Sequence, residues 1–212
     1  MLKRLRGPTS LYDDRLQMTG RQWLEHLYGE LVEKESKWMG ARALKNPLDA
    51  WIYQEILYEV RPQTIVELGS AYGGSALFLA HMLDLLGAGK VISVDHWHGE
   101  FDVDHPRITK VTGKTTEVVD QVAALCEGTT LVIHDASHEE EMVLADLRLY
   151  SPLVTSGSYL IVEDGARDLL SGKTGPLTAT KRFLEDTDEF ELDQSRERFL
   201  LTYNPGGFLR RR

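Results

Sequence analysis

The sequence predicts an α/β fold: one domain on a mostly parallel sheet, with helices covering both faces. Two observations carry this. From residue 64 onward, short apolar β-branched runs alternate with runs of helical period. The runs show little polar alternation, as expected of strands buried on both sides. A third observation closes the sheet. The last two strand-like runs have no helix between them, which predicts an antiparallel hairpin at one edge.

The elements follow in order. Residues 1–15 read as polar and irregular. From Thr19 to about Trp38, Trp23, Leu24, Leu27, Leu31 and Val32 recur at helical spacing. In the segment 45–60, Asn46 suits a helix cap and Pro47 its first turn. Trp51, Ile52, Ile56 and Leu57 then form an apolar stripe. Residues 1–60 are therefore expected as a helical extension, and 61–212 as the domain proper. TIVEL (64–68) is the first strand, followed by the turn GSAYGGS and a helix. VISVD (91–95), RITKVTG (107–113), TTLVIHD (129–135) and SYLIVED (158–164) are the next four strands. Helices are expected over Thr115–Leu125, over His138–Tyr150 and within PLTATKRFLED. FELDQS and RFLLTYN are expected as the closing hairpin.

Composition removes several functions. The net charge is -9 and the pI near 5.3. Nucleic acid and anionic membranes reward a basic surface, so neither is an expected partner. The basic clusters LKRLRG and LRRR read as solvated tails. The single cysteine, Cys126, permits no internal disulfide and reads as a small hydrophobe in a reducing compartment. No apolar run approaches the ~18 residues of a membrane span, and no apolar segment follows the basic start. A cytoplasmic location is expected.

In an open parallel sheet, ligands bind beyond the carboxyl ends of the strands. The first strand delivers Glu67, Gly69, Ser70, Tyr72, Gly73 and Ser75 to that edge. Glycine allows backbone to approach a ligand, and the following helix offers its first amides. The spacing is not G-x-G-x-x-G, and there is no Walker lysine. The second strand ends in Asp95, where an acid can hold a ribose diol. Glycine loop and acid together describe a nucleoside site without a pyrophosphate, which S-adenosylmethionine fits. Gly113 and Thr115, after the third strand, are expected beside the adenine. A plain tight turn would explain the glycine loop alone.

The fourth strand ends in Asp135 and the fifth in Glu163 and Asp164. Three close carboxylates repel unless neutralised. Hard oxygen donors suit Mg²⁺, Ca²⁺ or Mn²⁺. Helix capping is the alternative use of such acids. His138, three residues past Asp135, should face the same place, where a neutral imidazole can take a proton from a cation-bound hydroxyl. His134 is expected in the core, and His96, His98 and His105 near the mouth.

Several motifs together resemble the cephalosporin-hydroxylase-like family, which includes rhamnosyl and macrolide-sugar O-methyltransferases of antibiotic pathways. They are W38-M-G, K45-N-P-L-D-A-W-I-Y-Q-E, I65-V-E-L-G-S-A-Y-G-G-S, V132-I-H-D-A-S-H, S151-P-L-V-T-S-G-S-Y-L-I-V-E-D and N204-P-G-G-F-L-R. The likeness runs over about residues 36–210. It implies a Rossmann-like class I methyltransferase fold with a seven-stranded sheet, S-adenosylmethionine as cofactor, and Mg²⁺ held by Asp135, Glu163 and Asp164. It also implies His138 as general base. Asp135 is then both metal ligand and cofactor neighbour. The expected reaction is methyl transfer to a hydroxyl of a natural-product sugar. A catechol or other vicinal diol, or a catalytically silent binding domain, are the alternatives. A small-molecule acceptor and a homo-oligomer are the expected partners, with Trp23, Leu27, Leu31 and Trp38 as interface candidates.

Overall fold

Seven strands form one sheet in the computed structural model, which describes residues 14–212. They are β1 (Thr64–Leu68), β2 (Lys90–Asp95), β3 (Ile108–Thr112), β4 (Thr130–His134), β5 (Tyr159–Val162), β6 (Phe190–Leu192) and β7 (Phe208–Arg211). The spatial order is 3-2-1-4-5-7-6. β1 to β5 are parallel, and β7 is antiparallel to both β5 and β6. The chain leaves β1 toward one edge and returns to β4 on the other side. That reversal opens a crevice between β1 and β4.

Both faces of the sheet are covered, which explains the absent alternation. Ile65, Leu131, Ile133 and Ile161 pack against α2 (Pro47–Val60) and α3 (Gly74–Leu86). Val66, Val132, Leu160 and Val162 meet α4 (Thr115–Leu125), α5 (Glu140–Tyr150) and α7 (Pro176–Glu185). All eight side chains are fully buried, each contributing roughly 1.5–3 kcal/mol of apolar transfer. A third, smaller cluster joins Leu24, Leu27 and Val32 of the N-terminal helix to Tyr203 and to Ala166 of the short α6 (Ala166–Ser171).

Three expectations are corrected. First, RFLLTYN is not a strand. Leu200 takes a left-handed φ of 71° and is 89% exposed, while Tyr203 and Asn204 turn inward. The final strand is instead FLRR, which slots between β5 and β6. The C-terminal basic cluster is therefore not a solvated tail. The Arg211 guanidinium donates to the carbonyls of Ser151, Pro152 and Val154 and to Glu189. The N-terminal cluster LKRLRG lies outside the described residues, as does nearly all of the irregular start.

Second, the helix from Thr19 is not uniform. α1 (Gly20–His26) passes into a π-turn, Leu27–Val32. The wider turn shifts the phase, so Val32 is buried and Leu31 is 40% exposed. Trp38 is not helical: Lys37–Trp38 pairs with Ala41–Arg42 in a small antiparallel ribbon. Its turn, Met39-Gly40, has positive φ at both residues, as a type I′ hairpin requires. Third, Trp51 leaves the stripe of α2 and is 60% exposed, and Tyr53 takes its place in the core. Leu27 and Trp38, offered as interface candidates, make core contacts within the chain. Among the described residues no helix is long and apolar enough to cross a membrane.

Candidate active site

A cavity of about 800 Å³ opens at the carboxyl ends of β1, β2, β4 and β5. Its floor is the glycine loop. Gly69 has φ +88°, and a Cβ there would stand 2.0 Å from the Asp135 carbonyl oxygen. The loop after β1 and the loop after β4 thus touch at a point only glycine permits. Gly69→Ala is expected to lower the melting temperature by several degrees, the mark of a few kcal/mol of strain, and to weaken ligand binding in the cavity. Differential scanning fluorimetry checks the first and calorimetry the second.

Asp95 is tied to this loop. Its Oδ2 accepts from the Ser70 and Ala71 amides at 3.0 Å each, and its Oδ1 from the Trp97 amide at 3.1 Å. Ser70, Tyr72 and Ser75 line the cavity with Gly69, Asp95 and Thr115. Gly73 and Gly113 do not. Gly73 caps α3 with its back against the Phe101 ring, and Gly113 lies against Val118. Thr115 donates to Asp146 Oδ1 at 2.6 Å, and Asp146 Oδ2 pairs with the buried His134. His134 is a core residue, as expected. His96 lines the cavity, whereas His105 is bound to Asp84 and His98 to Thr112.

The acids divide into two groups joined by Asp135. On one side, Asp164 Oδ2 accepts from His138 Nε2 and from the Tyr28 hydroxyl, each at 2.6 Å. Asp164 has φ +64°, a left-handed conformation rare outside glycine, and its amide is held by the Asn204 side chain. Despite its burial, the bonds from His138 and Tyr28 hold the Asp164 carboxyl below its ordinary range. On the other side, Glu163 does not line the cavity. Its Oε1 accepts from the Tyr53 hydroxyl at 2.7 Å and from the Lys45 ammonium at 2.5 Å. Lys45 Nζ also donates to Asp135 Oδ2 at 2.6 Å. Three acids were expected to converge on one point. The structure brings Asp135, Asp164 and His138 together, with ligand atoms within 4.8 Å of one another, and turns Glu163 to Lys45.

Glu67 is fully buried, and neither carboxylate oxygen has a hydrogen-bond partner; the Ser75 hydroxyl lies beside it outside bonding geometry. Burial pushes the Glu67 carboxyl up to about 7, against the pull of Lys45. Burial and the Asp135 charge push Glu163 up to about 8, again against Lys45. Asp135 is raised by burial too. Four carboxylates therefore face one buried ammonium, with Arg167 4.0 Å from Asp164 at the rim. This surplus of hard oxygen donors fits a divalent cation.

A stability prediction follows from Glu67 and Glu163. Both have folded values above the ordinary 4.5, so between those limits the folded state binds more protons than the unfolded. Stability from these groups is full below 4.5 and is lost as pH rises through about 7 and about 8. Metal-free protein is expected to melt at falling temperature from pH 5 to pH 8, and saturating Mg²⁺ to flatten that slope. Thermal melts across pH, in EDTA and in Mg²⁺, check it.

Four residues escaped the sequence reading: Lys45, Tyr28, Tyr53 and Asp146. None left a local signal of its role: Lys45 stands in KNP directly before a helix, and nothing in that stretch joins it to acids 90 and 118 residues away. A second histidine cluster, His81, Asp84 and His105, is structural. The Trp38 indole donates to His81 Nδ1, and Arg107 occupies Asp84.

A glycine loop at the reversal point of a 3-2-1-4-5-7-6 sheet defines the Rossmann-like methyltransferase fold of class I. Within that class, the chain belongs to the Rhamnosyl O-methyltransferase/CmcI family, whose model matches residues 30–212. It is 37% identical over 199 residues to a rhamnosyl O-methyltransferase of Mycobacterium leprae, covering 87% of each chain. It is 34% identical over 197 residues to that of Mycobacterium tuberculosis H37Rv, covering 86% of this chain and 80% of the relative. A solved structure of CmcI with Mg and SAM superposes with a TM-score of 0.69 at 24% identity, over 84% of this chain and 76% of that one.

Proposed function

We propose that the protein is an S-adenosylmethionine- and Mg²⁺-dependent O-methyltransferase acting on a sugar hydroxyl, of which a rhamnosyl group is the first candidate. The observation that carries this is the placement of Asp135, Asp164 and His138 in one wall of a cavity whose floor is the glycine loop. The family relatives are named for rhamnosyl O-methylation, and the superposed CmcI structure is one with Mg and SAM. When bound, S-adenosylmethionine supplies the electrophilic methyl group, and Mg²⁺ supplies a Lewis acid for the acceptor oxygen.

The residues divide the work. Gly69, Ser70, Tyr72 and Ser75, which line the cavity, would hold the cofactor over the loop that Glu67 leads into. Asp95 would hold the ribose, and Thr115, which lines the cavity where Gly113 does not, would border the base. Asp135, Glu163 and Asp164 supply the carboxylates for the cation. The ionised Asp164 Oδ2 can only accept, so His138 Nε2 carries the hydrogen between them. That leaves Nδ1 as the basic atom of the ring, and it takes the acceptor hydroxyl's proton. Positioning of the acceptor oxygen against the methyl group supplies the rest of the rate.

The test is an assay of purified protein with S-adenosylmethionine and a phenolic rhamnoside, in Mg²⁺ or in EDTA, read by mass spectrometry. A singly methylated rhamnoside formed only with the cation supports the proposal. Methylation of a catechol control in preference to the rhamnoside rejects the sugar. Failure to bind S-adenosylhomocysteine rejects the methyltransferase reading.

A further inference from the structure

Lys45 reaches into the acid group from the loop before α2. Its ammonium sits between Asp135 Oδ2 and Glu163 Oε1, the acids at the ends of adjacent strands β4 and β5. Its side chain is only 10% exposed. A compact positive charge between two carboxylates occupies the place a hard cation takes. The two compete for this place, because an ammonium and a hard cation held on the same two oxygens repel each other at short range.

Glu67 gives a second, independent observation. It is fully buried with both oxygens unbonded, and a buried carboxylate without a partner is costly. Lys45 is close enough for its charge to act on Glu67. The flexible four-carbon stem of lysine can turn its ammonium from one carboxylate to another with little backbone change.

We propose that Lys45 is a positioning residue that stands in for the divalent cation: it bridges Asp135 and Glu163 in the metal-free protein and turns to Glu67 when the cation arrives. The inference rests on the reading of these acids as the cation site. It accounts for Glu163 being held on Lys45 and Tyr53, apart from the Asp135–His138–Asp164 group, until displacement frees it.

Calorimetric titration with Mg²⁺ tests this without any assay of turnover. Lys45→Met removes the competitor, so Mg²⁺ is expected to bind on the order of tenfold tighter than in the parent. The metal-free variant should melt lower and gain more from Mg²⁺. Lys45→Arg keeps the charge and should bind no tighter than the parent. Glu67→Gln removes the landing place, so it should weaken Mg²⁺ binding in the parent background and have no effect in Lys45→Met. Equal or weaker binding by Lys45→Met overturns the proposal, because Lys45 would then be aiming the ligands and not competing with the ion. If that variant does not fold without metal, the parent decides: the ¹⁵N signal of the Lys45 ammonium must change on Mg²⁺ saturation, and an unchanged signal overturns the displacement. A parent that binds neither Mg²⁺ nor Mn²⁺ removes the cation site itself and the displacement with it. That outcome appears before any variant is made, so the two failures are distinct.

Discussion

Replacing His138 by alanine is expected to lower the methyl-transfer rate by about 10²–10⁴, the usual share of a positioned general base. Three features set this. The ring lines the cavity, its Nε2 is held by Asp164 at 2.6 Å, and that bond fixes the tautomer with Nδ1 free. The loss should fall in kcat, since the ring acts on the proton in flight and not on the bound ground state. Added imidazole should restore part of the rate to a His138→Gly variant and none to an Asp164→Asn variant, which lacks the group that orients the base. Mg²⁺ affinity separates the base from a ligand. If alanine at 138 abolishes cation binding as fully as it slows turnover, the imidazole belongs to the metal and the base lies elsewhere. The side chain is 38% exposed, so the substitution should leave the fold intact, and a melt reports whether it does.

The strands that place this site were legible because their chemistry is local. TIVEL, buried on both faces between two parallel neighbours, forms where its composition says, and α4 begins and ends at Thr115 and Leu125 as its period requires. The acids at the strand ends were legible for the same reason: a parallel sheet sends every such residue to one edge. Three kinds of information were not local. Leu200 adopts a left-handed backbone that no pattern announces, so RFLLTYN imitated a strand until its tertiary setting turned Tyr203 and Asn204 inward. The π-turn at Leu27–Val32 shifted a helical phase by part of a turn, and that shift brings Tyr28 to Asp164. Lys45 lies 90 residues from Asp135 and 118 from Glu163, so only the fold could join them. The charge of the site was therefore readable in its negative half and not in its positive half.

The missing positive half decides what Asp135→Asn should do. Asp135 is the acid shared by both groups, bonded to Lys45 and placed within reach of His138 and Asp164. Asparagine keeps its size and one oxygen but removes the charge. Two unit charges about 4 Å apart interact by about 4 kcal/mol at an effective dielectric of 20 and the ion carries two, so Mg²⁺ affinity is expected to fall by at least on the order of 10³. Turnover at limiting Mg²⁺ should fall with it, while S-adenosylhomocysteine binding stays within a few-fold, because the glycine loop is untouched. The metal-free protein supplies the sharper reading. Burial and Asp135 are what raise the Glu163 carboxyl to about 8, so removing Asp135 leaves Lys45 to pair with Glu163 alone and lowers that value. A carboxyl whose folded value moves back toward the ordinary one costs less stability at alkaline pH. Asp135→Asn should thus melt no lower than the parent in EDTA at pH 8, and should show a shallower fall between pH 5 and pH 8. A capping or purely structural acid predicts the opposite: a lower melt at every pH, with no change in the response to Mg²⁺. Paired melts in EDTA and in Mg²⁺ distinguish the two, since only a cation site couples the loss of one carboxylate to the loss of the ion's stabilising effect.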